Sequence, residues 1–257
     1  MTNVLKARLN DGAHVFGCFT KHPSASVVEL LGLQGWDFVI IDAEHGPIDP
    51  LECERMTRAA ELGGATPIVR VPANERAAIL RYLDVGPQGL HVPMIESGAD
   101  AEQAVRFAKY MPDGERGLAG VRAASYGTLE GLDEYVLRAN AETLVVVQIE
   151  SKAALGHLDD IVTVPGIDVV FVGPTDLAHS LGVVGQGDHP IVAAALDDIC
   201  RAVEGSSKAL GILVSSERDA RAWMERGAQY LCVNLENLLR QASSGFLNEF
   251  HQLAAER

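Results

Sequence analysis

The chain has 257 residues, of which 47% are hydrophobic and 22% are charged, and this composition is typical of a globular protein with a sizeable core. Its 21 Lys and Arg residues against 35 Asp and Glu give a formal net charge of −14, which disfavours nucleic acids and anionic membranes as partners. No apolar run approaches the roughly 20 residues of a membrane span, and the polar first twelve residues exclude a signal peptide there.

The four cysteines lie far apart in the sequence, at Cys18, Cys53, Cys200 and Cys232. They form no C-x-x-C pair, which excludes a zinc ribbon and a thioredoxin-like redox motif. We therefore expect free thiols, used as small core residues, in a protein of the reducing cytoplasm.

Short runs rich in β-branched and aliphatic residues predict eight strands along the chain. The run 144–147 is continuously apolar, which indicates a parallel strand buried on both faces. The predicted strands are His14–Phe19, Asp37–Ile41, Thr66–Val71, Gly89–Pro93, Leu144–Glu150, Asp168–Val172, Gly211–Val214 and Tyr230–Val233.

Longer amphipathic stretches alternate with these strands and predict helices. Ser24 is a typical N-cap, and Pro50 and Gly63 mark the first turn and the end of another helix. The predicted helices are Ser24–Gln34, Pro50–Leu62, Arg76–Leu83, Asp100–Tyr110, Glu130–Ala139, Lys152–Val162, Pro190–Gly205, Glu217–Arg226 and Leu235–Glu256.

Eight β–α units in about 250 residues predict an α/β fold, a (β/α)8 TIM barrel, as one domain over residues 1–257. An open doubly wound sheet is less favoured, because no G-x-G-x-x-G follows the first strand. The irregular stretch 111–127 is long enough to suggest a functional loop.

In such a barrel the active site lies where the strands end, and chemically active residues follow several of the predicted strands. Arg70 lies at the end of the third strand, and Lys21 lies near the end of the first. The other strand ends carry Asp42-Ala43-Glu44-His45-Gly46, Gln148-Ile149-Glu150 and Gly173-Pro174-Thr175-Asp176.

Glu150 and Asp176 follow neighbouring parallel strands, which lie about 4.8 Å apart. Their carboxylates can therefore converge on one hard divalent cation, with waters and a chelating substrate completing its shell. The alternative is a pair of solvated surface acids.

His45 and Arg70 are candidates for proton transfer and charge stabilisation. An imidazole titrates near pH 6.5 and can act as a base, with Asp84 in position to orient it; a structural histidine is the alternative. The Arg70 guanidinium needs an anionic partner, which is either Asp42 or Glu44 in a salt bridge or an oxyanion of the substrate. After Gly173, free backbone N–H groups could bind a carboxylate.

These motifs, taken in order along residues 5–239, resemble the HpcH/HpaI aldolase/citrate lyase family, the class II metal-dependent pyruvate aldolases. The resemblance rests on the strand-end motifs above together with Leu83-Asp84-Val85-Gly86, Arg116-Gly117 and Arg122-Ala123-Ala124-Ser125-Tyr126-Gly127.

The resemblance implies reversible cleavage of a 4-hydroxy-2-oxo acid to pyruvate and an aldehyde. It implies one divalent metal on Glu150 and Asp176: magnesium, manganese or cobalt, with zinc as a further candidate. It implies His45 as the base assisted by Asp84, Arg70 at the enolate oxygen, and Gln148, Gly173 and Thr175 as substrate contacts. It also implies a homohexamer built from dimers that exchange a C-terminal helix.

Two segments depart from the family pattern. Many members carry a tryptophan at the end of the first strand, where this chain has Cys18-Phe19-Thr20-Lys21, and Asn234-Leu235-Glu236 replaces a Gly-x-Asp-like turn. Both border the aldehyde side, so the sequence leaves the aldehyde open.

Three rival functions remain at this level. A CoA-thioester lyase of the malyl- or citramalyl-CoA type is the nearest, although no extra basic surface for a nucleotide is evident. A Schiff-base aldolase is disfavoured because none of the five lysines lies inside a predicted strand. A carboxylate-binding barrel without turnover is the third.

Overall fold

The computed structural model describes residues 2–255, and eight parallel strands form a closed barrel in which each strand pairs with the next and β8 pairs with β1. The strands are β1 (Val15–Thr20), β2 (Phe38–Asp42), β3 (Thr66–Arg70), β4 (Gly89–Val92), β5 (Leu144–Ile149), β6 (Val169–Val172), β7 (Ala209–Leu213) and β8 (Ala228–Asn234). The predicted (β/α)8 barrel and all eight predicted strands are confirmed, with ends that differ by one or two residues.

Helices follow the strands around the outside of the barrel. They are α1 (Val4–Asn10), α2 (Ala25–Leu33), α3 (Pro50–Gly63), α4 (Arg76–Asp84), α5 (Gly98–Ala108), α6 (Leu132–Glu142), α7 (Lys152–Leu155), α8 (Leu158–Thr163), α9 (Pro174–Ser180), α10 (Pro190–Glu204), α11 (Glu217–Glu225) and α12 (Leu235–Ala255). The irregular stretch 111–127 contains a 3₁₀ turn at Arg122–Gly127.

The sequence missed α1 and α9, and it joined α7 and α8 into one helix. In α1 only Leu5 and Leu9 are buried. One buried pair in seven residues is too short a pattern to show the helical period. The α7–α8 break falls at Gly156, the residue that caps α7.

An inner core fills the barrel, separate from the outer core between strands and helices. It is rich in aromatic rings: Phe38 stacks on Tyr230 with centroids 4.2 Å apart, and Phe171 meets Tyr230 edge-on at 6.1 Å. Leu5 and Leu9 of α1 belong to the same cluster, so α1 covers the end of the barrel where the strands begin.

Helix α12 leaves the barrel and carries an exposed apolar face. From the sequence, this helix is expected to bury Leu235, Leu238, Leu239, Phe246 and Phe250 against a neighbouring subunit. That is wrong for two of them, because Leu235 is buried within this chain and Leu238 packs against its outer core. The predicted last helical residue, Glu256, lies outside the described residues. The exposed apolar residues are Leu239, Phe246, Leu247, Phe250 and Leu253.

Candidate active site

A cavity of about 300 Å³ opens at the carboxyl ends of the strands. Six of the predicted site residues line it, and their roles stay predictions; Glu150 and Asp84 are not among the lining residues. The six are His45, Arg70, Gln148, Gly173, Thr175 and Asp176. The remaining lining residues are Phe19, Lys21, Phe171, Pro174, Leu213 and Asn234.

Arg70, at the end of β3, is held by two carboxylates from the end of β2. Its Nε donates to Asp42 Oδ1 at 2.9 Å, and its Nη1 lies 3.2 Å from Glu44 Oε2. The guanidinium also lies over the Phe19 ring, 5.0 Å from its centroid. Burial disfavours the cation, but the hydrogen bonds and charges of Asp42 and Glu44 outweigh it and raise the pKa of Arg70. Arg70 therefore forms the salt bridges to Asp42 and Glu44 that the sequence offered as one alternative.

Asp42 also shapes the turn that carries the candidate base. The carboxylate is fully buried, and its Oδ1 accepts the backbone N–H groups of Glu44 at 3.1 Å and His45 at 3.2 Å. One carboxylate thus fixes both Arg70 and the loop after β2. The sequence had offered Asp42 only as an ion-pair partner, and its place in the Asp-Ala-Glu-His motif was the signal for this second role.

Glu150 is 4% exposed and lies behind two residues that line the cavity, Gln148 and Gly173. Its Oε1 accepts the Met94 backbone N–H at 2.8 Å, and its Oε2 accepts a hydrogen bond from Gln148 Nε2. A Cβ on Gly173 would lie 2.7 Å from Glu150 Oε2 and 2.9 Å from Gln148 Nε2. Only glycine at position 173 leaves room for this arrangement.

Of the two residues predicted to bind the substrate carboxylate through their backbone, Gly173 and Thr175, only one has an N–H group that is free to do so. The Gly173 N–H donates to the Ile149 carbonyl at 3.0 Å, so it is already engaged in the sheet. The Thr175 N–H lies in the first turn of α9, where N–H groups have no acceptor within the helix. Gly173 therefore acts through its missing side chain, and Thr175 keeps the N–H that could meet a carboxylate.

Burial is the main cause of a raised pKa at two acidic groups near the site. Burial, followed by the nearby negative charges of Glu44 and Asp176, raises the pKa of Glu150 to about 7 against the hydrogen bonds from Met94 and Gln148. Burial also raises the pKa of Glu44, although the Arg70 charge opposes it. A cation bound beside Glu150 would favour its ionised form.

The donor set fits a hard divalent cation. Carboxylate oxygens are the ligands that such ions prefer, and a second charge from the ion would compensate Glu150 and Asp176. Within residues 2–255, no group of three or more His, Cys, Asp or Glu side chains is arranged to hold a metal. Water or substrate oxygens would thus have to complete the shell around these two carboxylates.

His45 and Asp84 are not brought together within one chain. His45 lies on the loop after β2, has a side chain that is 54% exposed, and places Nε2 3.8 Å from Glu44 Oε2. Asp84 ends α4 and pairs with Arg116 at 2.9 Å. Among the described residues no hydrogen bond or ion pair joins His45 to Asp84, so assistance by Asp84 stays a prediction.

A larger groove, of about 560 Å³, lies on the Asp84 side of the protein. Its arginines are paired with acidic residues, for example Arg122 with Glu61 and Arg58 with Glu54. We place the active site in the smaller cavity because the buried acid, the buried cation and the glycine cradle meet there.

The atypical segment after β8 reaches the rim of the cavity. Asn234 lines it, while Glu236 faces the end of β1, 4.0 Å from Lys21 Nζ and 3.5 Å from His22 Nε2. The two departures from the family pattern therefore meet on one side of the mouth.

Comparison with known proteins gives the family of the chain. The sequence profile of the HpcH/HpaI aldolase/citrate lyase family matches residues 15–237. The chain is 36% identical over 236 residues to a hydroxypyruvate/pyruvate aldolase of Roseobacter denitrificans, covering 91% of each protein. It is 35% identical over 250 residues to a 5-keto-4-deoxy-D-glucarate aldolase of Shigella boydii, covering 96% of each.

A solved structure agrees with these sequence comparisons. The crystal structure of an HpcH/HpaI aldolase/citrate lyase family protein from Burkholderia cenocepacia superimposes with a TM-score of 0.92 at 37% identity, covering 97% of this chain and 100% of that one. The barrel, its strand-end acids and these matches over nearly the whole chain establish that this protein belongs to the HpcH/HpaI aldolase/citrate lyase family.

Proposed function

We propose that this protein is a class II, divalent-metal-dependent aldolase that reversibly cleaves a 4-hydroxy-2-oxo acid to pyruvate, or a related 2-oxo acid such as hydroxypyruvate, and an aldehyde. The observation that carries the proposal is the buried Glu150, which lies against Gly173 behind the cavity wall and whose negative charge acts on the Arg70 cation. The aldolase names of the relatives from Roseobacter denitrificans and Shigella boydii support the same reaction.

Glu150 and Asp176 would hold the metal, for which magnesium, manganese, cobalt and zinc are the candidates. The ion would supply Lewis-acid stabilisation of the negative charge that develops on the 2-oxo acid. Both residues lie at the carboxyl end of the barrel, one buried and one on the first turn of α9.

The chain's own residues account for the remaining chemistry. In cleavage His45 takes the proton of the C4 hydroxyl, the C3–C4 bond breaks, and its electron pair moves towards the 2-oxo oxygen. Arg70 supplies fixed positive charge where that oxyanion develops. Gln148 and the Thr175 N–H hold the 2-oxo acid, while Asp84 assists His45.

His45 is suited to proton transfer by its position. It is exposed at the rim, and its backbone is fixed by Asp42, so the ring can reach a hydroxyl group without moving the loop. Its function as the base is separable from binding, because it belongs to neither the Glu150 cluster nor the Arg70 ion pair.

The Schiff-base alternative depends on a reactive lysine in the cavity. Burial lowers the pKa of Lys109 to about 8, but its Nζ donates to the carbonyls of Asn140 and Thr143 at 2.7 and 2.8 Å and lies outside the cavity. Among the cavity-lining residues, Lys21 is the lysine that such chemistry could use.

The function is tested by exchange of the pyruvate methyl protons with deuterium, followed by NMR with and without metal. Exchange and aldol cleavage should disappear after exhaustive chelation and return with magnesium, manganese or cobalt. A panel of aldehydes with pyruvate and hydroxypyruvate then identifies the acceptor. Full activity after chelation, or trapping of pyruvate on Lys21 by borohydride, would show that the proposal is wrong.

We also propose that this one-domain enzyme works in the cytoplasm as a homohexamer, a trimer of dimers whose subunits exchange α12. The free cysteines support the cytoplasmic location, and the exposed apolar face of α12 supports the assembly. Among the described residues, no helix is both long and apolar enough to cross a membrane. Light scattering that shows a monomer at every concentration would refute the assembly.

A further inference from the structure

His91 is a buried polar residue directly beneath the active site. It lies in β4, paired in register with Arg70 of β3 and Val146 of β5, and it is fully buried. Its ring packs against two aromatic residues that line the cavity, Phe19 at 5.5 Å and Phe171 at 4.7 Å between centroids. The imidazole therefore belongs to the layer that supports the cavity.

Gln148 is the polar neighbour of His91 inside the barrel. Side chains alternate between the two faces of a strand, so Gln148 shares the inward face of β5 with Val146, the register partner of His91. Both His91 nitrogens and Gln148 Oε1 are buried and have no hydrogen-bond partner among the described residues. Buried polar atoms are rarely left unpaired, because the loss of water is then uncompensated.

The protonation state of His91 is set by its surroundings. Burial, followed by the positive charge of Arg70, holds the pKa of His91 well below its usual range, although the interaction with Gln148 opposes this effect. The ring is therefore neutral at physiological pH and has one N–H donor and one acceptor nitrogen.

We propose that the neutral His91 ring donates its N–H to Gln148 Oε1 and acts as a positioning residue for this amide. The two ends of a glutamine amide have nearly the same shape, so its partners decide its orientation. With Oε1 held by His91, Nε2 points towards Glu150, to which it already donates. In the reverse orientation Oε1 would face the Glu150 carboxylate, and two acceptors would repel.

The consequence for the reaction rests on the proposed function, in which Gln148 contacts the 2-oxo acid. His91 does not line the cavity, so it acts only through the orientation of Gln148. Loss of the imidazole should weaken pyruvate binding more than it slows turnover.

The kinetic test compares His91→Leu, His91→Asn, Gln148→Leu and the double variant His91→Leu/Gln148→Leu. In metal-dependent proton exchange, His91→Leu should raise the KM for pyruvate about tenfold, as expected for one lost hydrogen bond, with little change in kcat. His91→Asn keeps an N–H donor and should recover most of the affinity. The double variant should match Gln148→Leu alone, because the two residues act as one unit.

Tyr230→Phe is the matched control. Tyr230 is also buried in the barrel interior, and its hydroxyl likewise has no partner among the described residues. This change should leave the KM for pyruvate unaltered. Thermal unfolding should show His91→Leu to be less stable than the wild type, since it leaves Gln148 Oε1 buried without its donor, and the double variant should recover part of that loss.

A second measurement does not depend on activity. In protein labelled with 15N-histidine, the signal absent from His91→Leu belongs to His91. It should show one neutral tautomer from pH 5.5 to 8.5, with an N–H signal that shifts in Gln148→Leu. An imidazolium in this range, or a signal unaffected by Gln148→Leu, would overturn the inference.

The outcomes separate the inference from the proposed function. Additive effects of His91→Leu and Gln148→Leu on KM, or an equal effect of Tyr230→Phe, would refute the positioning role while leaving the aldolase function intact. If the wild-type protein showed no metal-dependent exchange, the proposed function would fail, and the NMR measurement would still decide the His91–Gln148 hydrogen bond.

Discussion

Replacing Glu150 by glutamine should stabilise the metal-free protein at pH 8 and abolish its metal binding. Glu150 is 4% exposed, and burial is the main reason that its pKa rises from an ordinary 4.5 to about 7. Glutamine keeps the size of the side chain and an oxygen for the Met94 N–H, but it carries no charge. The variant therefore removes the buried charge, but its NH2 group then faces Gln148 Nε2, so the hydrogen bond between residues 148 and 150 is lost at every pH.

The size of the effect follows from the difference in pKa. A carboxyl group with a pKa of 4.5 in the unfolded chain and about 7 in the folded one loses about 3 kcal/mol of stability once it is fully ionised. Because the folded state binds the proton more tightly, this penalty is absent below pH 4.5, grows as the pH rises towards 7, and is complete above it. Compared with their difference at pH 4, Glu150→Gln should thus gain on the wild type by about 1 kcal/mol at pH 5.5 and about 3 kcal/mol at pH 8.

Thermal unfolding in the presence of EDTA measures this difference. For a chain of this size, about 3 kcal/mol corresponds to roughly 6–12 °C in Tm. Glu102→Gln is the matched control, since it makes the same charge change at an exposed position of α5, and it should stay within about 0.5 kcal/mol of the wild type. Added manganese should stabilise the wild type but not Glu150→Gln. If both variants had the same pH profile as the wild type, the buried charge would not be the cause.

Substitutions at three further site residues separate their roles. Arg70→Ala should reduce both proton exchange and cleavage by roughly 10²–10³-fold. Arg70→Lys should recover only part of the lost activity, because lysine lacks the planar guanidinium fork. If the two variants lost the same activity, or Arg70→Lys kept it all, the planar shape of the guanidinium would not be the cause. His45→Ala should lower the cleavage rate by about 10²–10⁴-fold, while calorimetry should find near-normal affinities for manganese and pyruvate. A cleavage rate near that of the wild type would show that another group is the base. Gly173→Ala should weaken manganese binding more than about tenfold, because its Cβ would displace Glu150. Gly187→Ala is the control and should have no effect, since its Cβ meets nothing within 4 Å. Equal manganese affinity of the two variants would show that the close approach of Gly173 to Glu150 does not matter for binding.

Much of the fold was accessible from sequence because parallel barrel strands leave a simple pattern. Runs such as Leu144–Val147 are buried on both faces and thus uniformly apolar, and the residues that follow them mark the strand ends. Short helices leave a weaker signal. The seven residues of α9 begin at Pro174, where the sequence predicts only a short turn beginning at Thr175, and only Leu177 and Ala178 of this helix are buried.

The candidate site was predicted as a set of side chains, but the contacts that fix it depend on pairs of strands. The sequence placed Glu150, Gln148 and Gly173 near one another, yet the close approach that requires glycine at 173 arises only once β5 and β6 are in register. His91 left a visible signal in the sequence, a polar residue between Leu90 and Val92. Its proposed partner Gln148 lies on the neighbouring strand β5 and could not be identified from the sequence of β4 alone.

The closed end of the barrel sets the order in which ligands must come and go. Helix α1 and the aromatic inner core fill the barrel from the side where the strands begin, so the described chain provides a path to Gln148 and Glu150 through the mouth alone. Gln148 is 3% exposed, whereas the His45 side chain is 54% exposed at the rim. A 2-oxo acid held at the bottom would be covered by an aldehyde at the rim, so in cleavage the aldehyde has to depart first and pyruvate last. Product-inhibition kinetics would then find pyruvate competitive with the 4-hydroxy-2-oxo acid and the aldehyde non-competitive.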